Sequence, residues 1–305
     1  MRIVYLGTPD FSVLPLQKIV EAGYNVVGVV TNKDKPVGRK HVLTPPPVKV
    51  FSQKLNIPVF QYDKIRVEGV EDIKKLKPDL MITCAFGQIL SQEILDIPKL
   101  GVINIHASLL PLYRGASPIH YAILNGEKQT GITIMKTDVG IDTGDIILQR
   151  KLEINPTETC GELFDRLSVL GSECIIDALK ELENGRAIYK KQDDNLATFT
   201  KIIKKEIAQI NWNDDAESIY NKIRAFNPSP VAFCLFENNP FKIYSAKICD
   251  MNGRAGTILK ADKELVIACG KGALKLLTVQ KAGGKQMDAQ AFLLGNKLTV
   301  GGEFK

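Results

Sequence analysis

Several kinds of chemistry are missing from this sequence. It has three histidines, His41, His106 and His120, and six cysteines, none of them in a C-x-x-C pair. That leaves no ligand spacing for a structural zinc site. The cysteines (Cys84, Cys160, Cys174, Cys234, Cys249 and Cys269) stand far apart in mostly apolar surroundings. Reduced, buried thiols in a cytoplasmic protein are therefore expected. No stretch approaches the roughly 18 unbroken apolar residues of a membrane span. The opening MRIVYLGTPDF breaks too soon for a secretory signal. A dinucleotide loop of the G-x-G-x-x-G type, a G-x-x-x-x-G-K-[ST] phosphate loop and a G-x-S-x-G elbow are all absent. A nicotinamide cofactor, an ATP phosphate loop and an α/β serine hydrolase thus have no support.

What is present is ordinary globular material, 305 residues with 45% hydrophobic and 24% charged side chains, enough for two domains. The net charge of +6 is unevenly placed. Residues 1–189 carry 22 Lys+Arg against 22 Asp+Glu, residues 190–206 carry 5 against 3, and residues 207–305 carry 13 against 9. A neutral front and a basic back fit a polyanion partner met by the back, or a lysine-rich surface that only keeps the chain soluble.

The first half alternates strands with helices. Apolar runs at 2–7, 25–31, 58–61, 79–86 and 101–107 read as strands, and 12–22, 47–56, 68–77 and 117–125 as helices. This βαβ alternation predicts a Rossmann-like, mostly parallel sheet with helices on both faces, whose ligands bind beyond the carboxyl ends of the strands. Strands at 130–138 and 144–154 flank the loop VGIDTG, and a long helix follows from about 158 to 184. Periodicity fades over 186–206. One helix at 216–226 and several short strand-like runs then predict a small antiparallel, OB-like β-barrel. The expected division is a catalytic domain at 1–189, a basic linker at 190–206 and a barrel domain at 207–305.

The chemistry concentrates in two places. In GVINIHASLLP, Asn104 and His106 interrupt an apolar strand at the carboxyl edge of the sheet. Side chains alternate along a strand, so both point to one side, roughly 6.5–7 Å apart. A carboxamide donates hydrogen bonds and an imidazole moves a proton near neutral pH, so together they can stabilise an oxyanion. The alternative is a pair that satisfies turn backbone. In DVGIDTGD the glycines let backbone enter a tight pocket, and a buried carboxylate there can orient an imidazole and favour its protonated form. Asp142, in mid-loop, is the candidate; a solvated Asx turn is the alternative. The segment Ser108–Pro111 could clamp a flat heterocycle or fill space beneath the next helix. Arg114 could meet an anion or a helix carboxylate.

NIHASLLPLYRGASPI together with DVGIDTGDIIL resembles the formyltetrahydrofolate-dependent formyltransferases. GTPDFSVLPL, TNKDKPVGRK, CAFGQIL and ATFTKIIKKEIAQINW extend the resemblance over nearly the whole chain. The tail TFTKI…KE…INW is similar to the branch that acts on charged tRNA. The resemblance implies transfer of the formyl group of 10-formyltetrahydrofolate, as co-substrate, to the α-amino group of methionine on initiator Met-tRNA, for translation initiation. It implies no metal and no membrane, and a monomeric protein is expected. By position, Asn104, His106 and Asp142 fall on the family's catalytic trio. Ser108, Leu109, Leu110 and Pro111 fall on its folate-contacting turn, and Phe86, Gly87, Val139 and Gly140 are the further folate contacts it implies. Arg39, Lys40, Lys201, Lys204 and Lys205 are the expected tRNA contacts. Three positions depart from the family pattern: Gly38-Arg39-Lys40-His41 replaces R-G-K-K, Ser229 replaces the aromatic of N-P-W-P, and Tyr121 replaces a tryptophan. Formyltransferases acting on a sugar amine or glycinamide ribonucleotide, a formate-releasing hydrolase and a non-catalytic RNA-binding protein are the competing readings.

Overall fold

The structure, a computed structural model, describes every residue except 39 and 40. The chain forms two compact units. The first comprises residues 1–118, 129–153 and 164–201, and the second residues 119–128, 154–163 and 202–305.

The first unit is built on a seven-stranded sheet. Its strands are β1 (Arg2–Gly7), β2 (Asn25–Thr31), β3 (Val59–Gln61), β4 (Leu80–Cys84), β5 (Val102–His106), β6 (Gln129–Lys136) and β7 (Ile146–Glu153). Their spatial order is β7-β6-β5-β4-β1-β2-β3. The first five pair in parallel, while β6 runs antiparallel to β5, and β7 to β6. The mostly parallel, Rossmann-like sheet expected from the sequence is therefore present. β1 and β4 are mostly apolar on both faces and wholly buried except for Arg2, as suits strands covered above and below. Tyr5 lies in that core, its hydroxyl donating to the Ser12 carbonyl at 2.7 Å, and burial pushes its ionisation far upward. The long helix Cys160–Glu183 reaches the same region, where Phe164 meets Phe11 edge-on at 5.1 Å.

Two local features differ from the sequence reading. The helix expected at 68–77 is two pieces, Ile65–Glu68 and Val70–Leu76, that meet at Gly69, a poor helix former. Lys35–Val37 and Val42–Thr44 form an antiparallel pair whose residues are exposed, so no buried face marked it in the sequence.

The second unit carries an antiparallel sheet of β8 (Ala232–Phe236), β9 (Asn239–Cys249), β10 (Ile258–Ala261), β11 (Leu265–Ala268) and β12 (Ala273–Lys281). The order is β8-β9-β12-β11-β10, with Met287–Asp288 added to β12. The C-terminal residues bridge the two edge strands. Lys305 and Leu235 exchange backbone hydrogen bonds at 2.5 and 2.8 Å, and Ile258 donates to Gly302 at 2.8 Å. Main-chain groups that an open edge would leave unpaired are thereby satisfied. Helix Ala216–Ala225 begins at Asp215, whose carboxylate accepts the Ser218 N–H at 2.8 Å and is held below the usual range by that bond. A helix at Ala289–Gly295, capped by Asp288, is an addition to the elements expected.

Candidate active site

The strand register explains the first half of the site. Asn104 on β5 stands beside Thr83 on β4, and the Thr83 hydroxyl donates to Asn104 Oδ1 at 3.0 Å. With its oxygen held there, the carboxamide turns its NH2 outward, where Nδ2 lies 3.4 Å from Asp142 Oδ1. His106, two residues on and only 6% exposed, has Nε2 3.1 Å from the Tyr113 carbonyl oxygen. A carbonyl only accepts, so Nε2 carries a proton. Nδ1 faces Asp142 Oδ2 at 3.6 Å, within ion-pair reach. That separation is outside hydrogen-bond range, so the Nδ1 side of the ring is not committed to the carboxylate.

Asp142 comes to this point from the loop between β6 and β7. Its Oδ2 also accepts the Gly115 N–H at 2.8 Å. One carboxylate thus sits among an amide, an imidazole and a backbone donor. Asp142 (φ +53°), Tyr113 (φ +60°) and Ala85 (φ +45°), just beyond β4, are all non-glycine residues in the left-handed region. Such conformations persist where surrounding structure over-determines them, and they collect at functional sites.

The loop is closely fitted. A Cβ added at Gly144 would lie 1.7 Å from the Lys136 carbonyl oxygen, so the loop must move to accept one. Gly144→Ala is expected to lower kcat about 10²-fold by displacing Asp142 on the scale of an ångström. Steady-state kinetics check this, and a variant with unchanged kcat would separate the loop's fit from the chemistry.

The remaining sequence-predicted residues distribute as follows. Ser108 and Leu110 are buried, and their polar groups have protein partners. Ser108 Oγ donates to the Leu112 carbonyl at 2.6 Å. Leu110 N–H donates to Thr133 Oγ1 at 3.1 Å, and the Leu110 carbonyl accepts from Gln149 Nε2 at 2.7 Å. Any contact this turn makes with a heterocycle falls first to the half-buried Leu109 and Pro111. Phe86 is buried in an apolar cluster, while Gly87, Val139 and Gly140 are exposed. Lys201, Lys204 and Lys205 are exposed. Arg39 and Lys40 lie outside the described residues.

Residues 1–179 match the formyl transferase model, and residues 202–297 match that of the formyl transferase C-terminal domain. The chain belongs to the formyl transferase family. It is 43% identical over 307 residues to the methionyl-tRNA formyltransferase of Ruminiclostridium cellulolyticum, covering 99% of this chain and 98% of that one. It is 44% identical over 310 residues to the methionyl-tRNA formyltransferase of Lysinibacillus sphaericus, covering 99% of both. The solved N-formyltransferase from Helicobacter canadensis, in complex with folinic acid and dTDP-3-aminofucose, has the same fold. Its TM-score is 0.70 at 22% identity, over 92% of this chain and 98% of that one.

For a formyl transferase, several neighbours of the trio gain importance that sequence reasoning did not assign them. Thr83 sets the carboxamide, Tyr113 and Gly115 contribute backbone groups, and Gln192 reaches the Asp142 loop from fifty residues away. Only the register of β4 against β5 could have suggested Thr83. Backbone contributions leave no mark on residue type. Arg114 is 2% exposed and pairs with Gln192 and with Asp194, a carboxylate in the first turn of the short 3-10 helix Asp194–Leu196. The Cys84 thiol, next to Thr83 in the sequence, is buried and pushed up to about 12 by desolvation, so it stays protonated and is no nucleophile at neutral pH.

Proposed function

We propose that this chain transfers the formyl group of 10-formyltetrahydrofolate to the α-amino group of methionine on initiator Met-tRNA. One observation carries the reading. A carboxamide, an imidazole and a carboxylate converge at the carboxyl end of β5, in a chain alike over its whole length to methionyl-tRNA formyltransferases. The donor set fits an acyl transfer of this kind, with two hydrogen-bond donors beside one proton acceptor.

The co-substrate supplies an activated one-carbon unit on N10. Asn104 Nδ2 and the His106 ring stabilise the negative charge that develops on the formyl oxygen as the amine adds. Removing one donor of this type costs about 10²–10³ in rate. Asp142 keeps the ring oriented through Nδ1 and takes the amine's proton, through one water, as the new C–N bond forms. General acid–base assistance of this sort contributes roughly 10²–10⁴. The proton is returned to N10 as the old C–N bond breaks, so no covalent bond to the protein is needed. The basic second unit and the lysines at 201, 204 and 205 hold the tRNA through phosphates. The reading places the protein in the cytoplasm, acting as a monomer. No helix among the described residues is long and apolar enough to cross a membrane.

The deciding assay supplies labelled 10-formyltetrahydrofolate with charged initiator tRNA, with an amino sugar nucleotide, or with no acceptor. Label is expected on methionyl-tRNA. Label on the sugar amine, or released as formate at the same rate without acceptor, overturns the reading. In the same assay, raising salt from about 50 to about 200 mM is expected to raise the KM for Met-tRNA at least about tenfold, while folate affinity barely changes.

A further inference from the structure

Residues 190–200 show no periodicity in the sequence, yet they are tied to the first unit at both partners of His106. Lys190 and Ile146 exchange backbone hydrogen bonds at 2.8 and 2.9 Å, which sets the segment against the start of β7. Gln192 then reaches the Asp142 loop. Its Nε2 donates to the Asp142 carbonyl at 2.8 Å and to the Gly144 carbonyl at 2.7 Å. Its Oε1 accepts from the buried Arg114, from Nε at 3.1 Å and Nη2 at 2.9 Å, and Asp194 takes Nη2 at 2.7 Å.

The same segment secures the Tyr113 turn. Thr198 Oγ1 accepts the Tyr113 N–H at 2.8 Å, and the Thr198 carbonyl accepts the Arg114 N–H at 2.8 Å. Phe199–Thr200 pairs in parallel with Arg114–Gly115, so closely that a Cβ at Gly115 (φ +109°) would meet the Thr200 carbonyl at 2.5 Å. Asp142 and Tyr113 both hold left-handed backbone, which needs outside support, and both face the His106 ring.

We propose that Gln192 is a positioning residue for the transfer. It holds the Asp142 loop and, through Arg114, the Tyr113 turn, so that the imidazole is gripped from both sides. The side chain touches no reacting atom. One amide has both grips because it donates to two carbonyls of one loop while accepting from a guanidinium of the other. This inference rests on the formyl-transfer reading for its catalytic consequence and not for its geometry.

Gln192→Glu tests it. The carboxylate still accepts from Arg114 but turns an oxygen toward two carbonyls in place of the donating NH2. Gln192→Met, of similar size, removes every polar contact. Both are expected to lower kcat about 10- to 10²-fold, with KM for each substrate within about threefold and little change in Tm. The chain has three histidines, so labelling the imidazole nitrogens gives a sparse spectrum at one fixed pH. In both variants the His106 signals are expected to move toward their positions in Asp142→Asn, while those of His41 and His120 stay in place. His106 signals at their wild-type positions overturn the proposal. So does wild-type kcat with displaced signals, or movement of all three histidines together with a collapse in Tm. The spectra need no substrate. If the wild-type chain leaves Met-tRNA unformylated while the His106 signals still respond, it is the proposed function that fails and not the positioning.

Discussion

Asn104→Ala is expected to lower kcat about 10²- to 10³-fold, roughly 2.7–4 kcal/mol of transition-state stabilisation, while the affinity for a non-reactive folate changes less than about threefold. The expectation comes from how the carboxamide is held. Thr83 occupies its oxygen, so its NH2 is the group offered outward beside the His106 ring. Charge appears on the formyl oxygen only as the amine adds. A donor aimed at that charge acts on turnover more than on binding. Single-turnover kinetics alongside equilibrium folate binding separate the two. Folate binding weakened about tenfold, with turnover of the bound complex intact, would reassign Asn104 to ground-state recognition. Asn104→Asp should be at least as damaging, because it sets a second carboxylate beside Asp142 Oδ1, now 3.4 Å from the amide nitrogen.

The largest expected effect on stability lies in the second unit, at Phe241. It is 1% exposed and lies edge-on to Phe292 at 5.3 Å and to Phe304 at 5.1 Å. Phe304 belongs to the C-terminal segment that bridges the edge strands, and it also stacks on Phe236 at 4.6 Å. Phe241→Ala therefore opens a cavity under the closing segment as well as removing apolar burial. A cost of about 3–5 kcal/mol is expected, with the unfolding transition of this unit falling by more than about 10 °C. Calorimetry reads both, and a loss below about 1 kcal/mol would show that the aromatic cluster collapses around the gap. Phe241→Leu, which keeps most of the volume, should recover much of the loss.

Asn104 and His106 were legible in the sequence because they are polar residues at period two in a strand that is otherwise apolar. Asp142 is one of three aspartates in its stretch, flanked by Ile141 and Thr143, and the family resemblance singled it out more than its residue type did. Most strands of both sheets were legible for a related reason, since burial on one or both faces imprints a period on side-chain type. The short pair at 35–37 and 42–44 buries neither face and left no such imprint. The helix at 289–295 is too short to establish one.

Residues 190–200 carry no such imprint. They look like a linker because they lack periodicity, yet their backbone and polar side chains are spent on hydrogen bonds to residues up to 86 positions away. Hydrogen bonds to main-chain carbonyls ask only for a donor at the right place. Glutamine and threonine supply that donor without any signature distinguishing them from solvated residues.

By itself the sequence determined a βαβ first half, a strand-rich basic back and two polar residues at the sheet's carboxyl edge. These follow from side-chain hydrophobicity and its period, which are local properties. The tertiary structure alone decided that the Asp142 carboxylate meets the His106 ring, that Thr83 turns the Asn104 amide outward, and that residues from beyond the long helix clamp the loops around them. Those outcomes depend on strand register and on main-chain groups every residue carries alike, so they exist only once distant segments have been brought together.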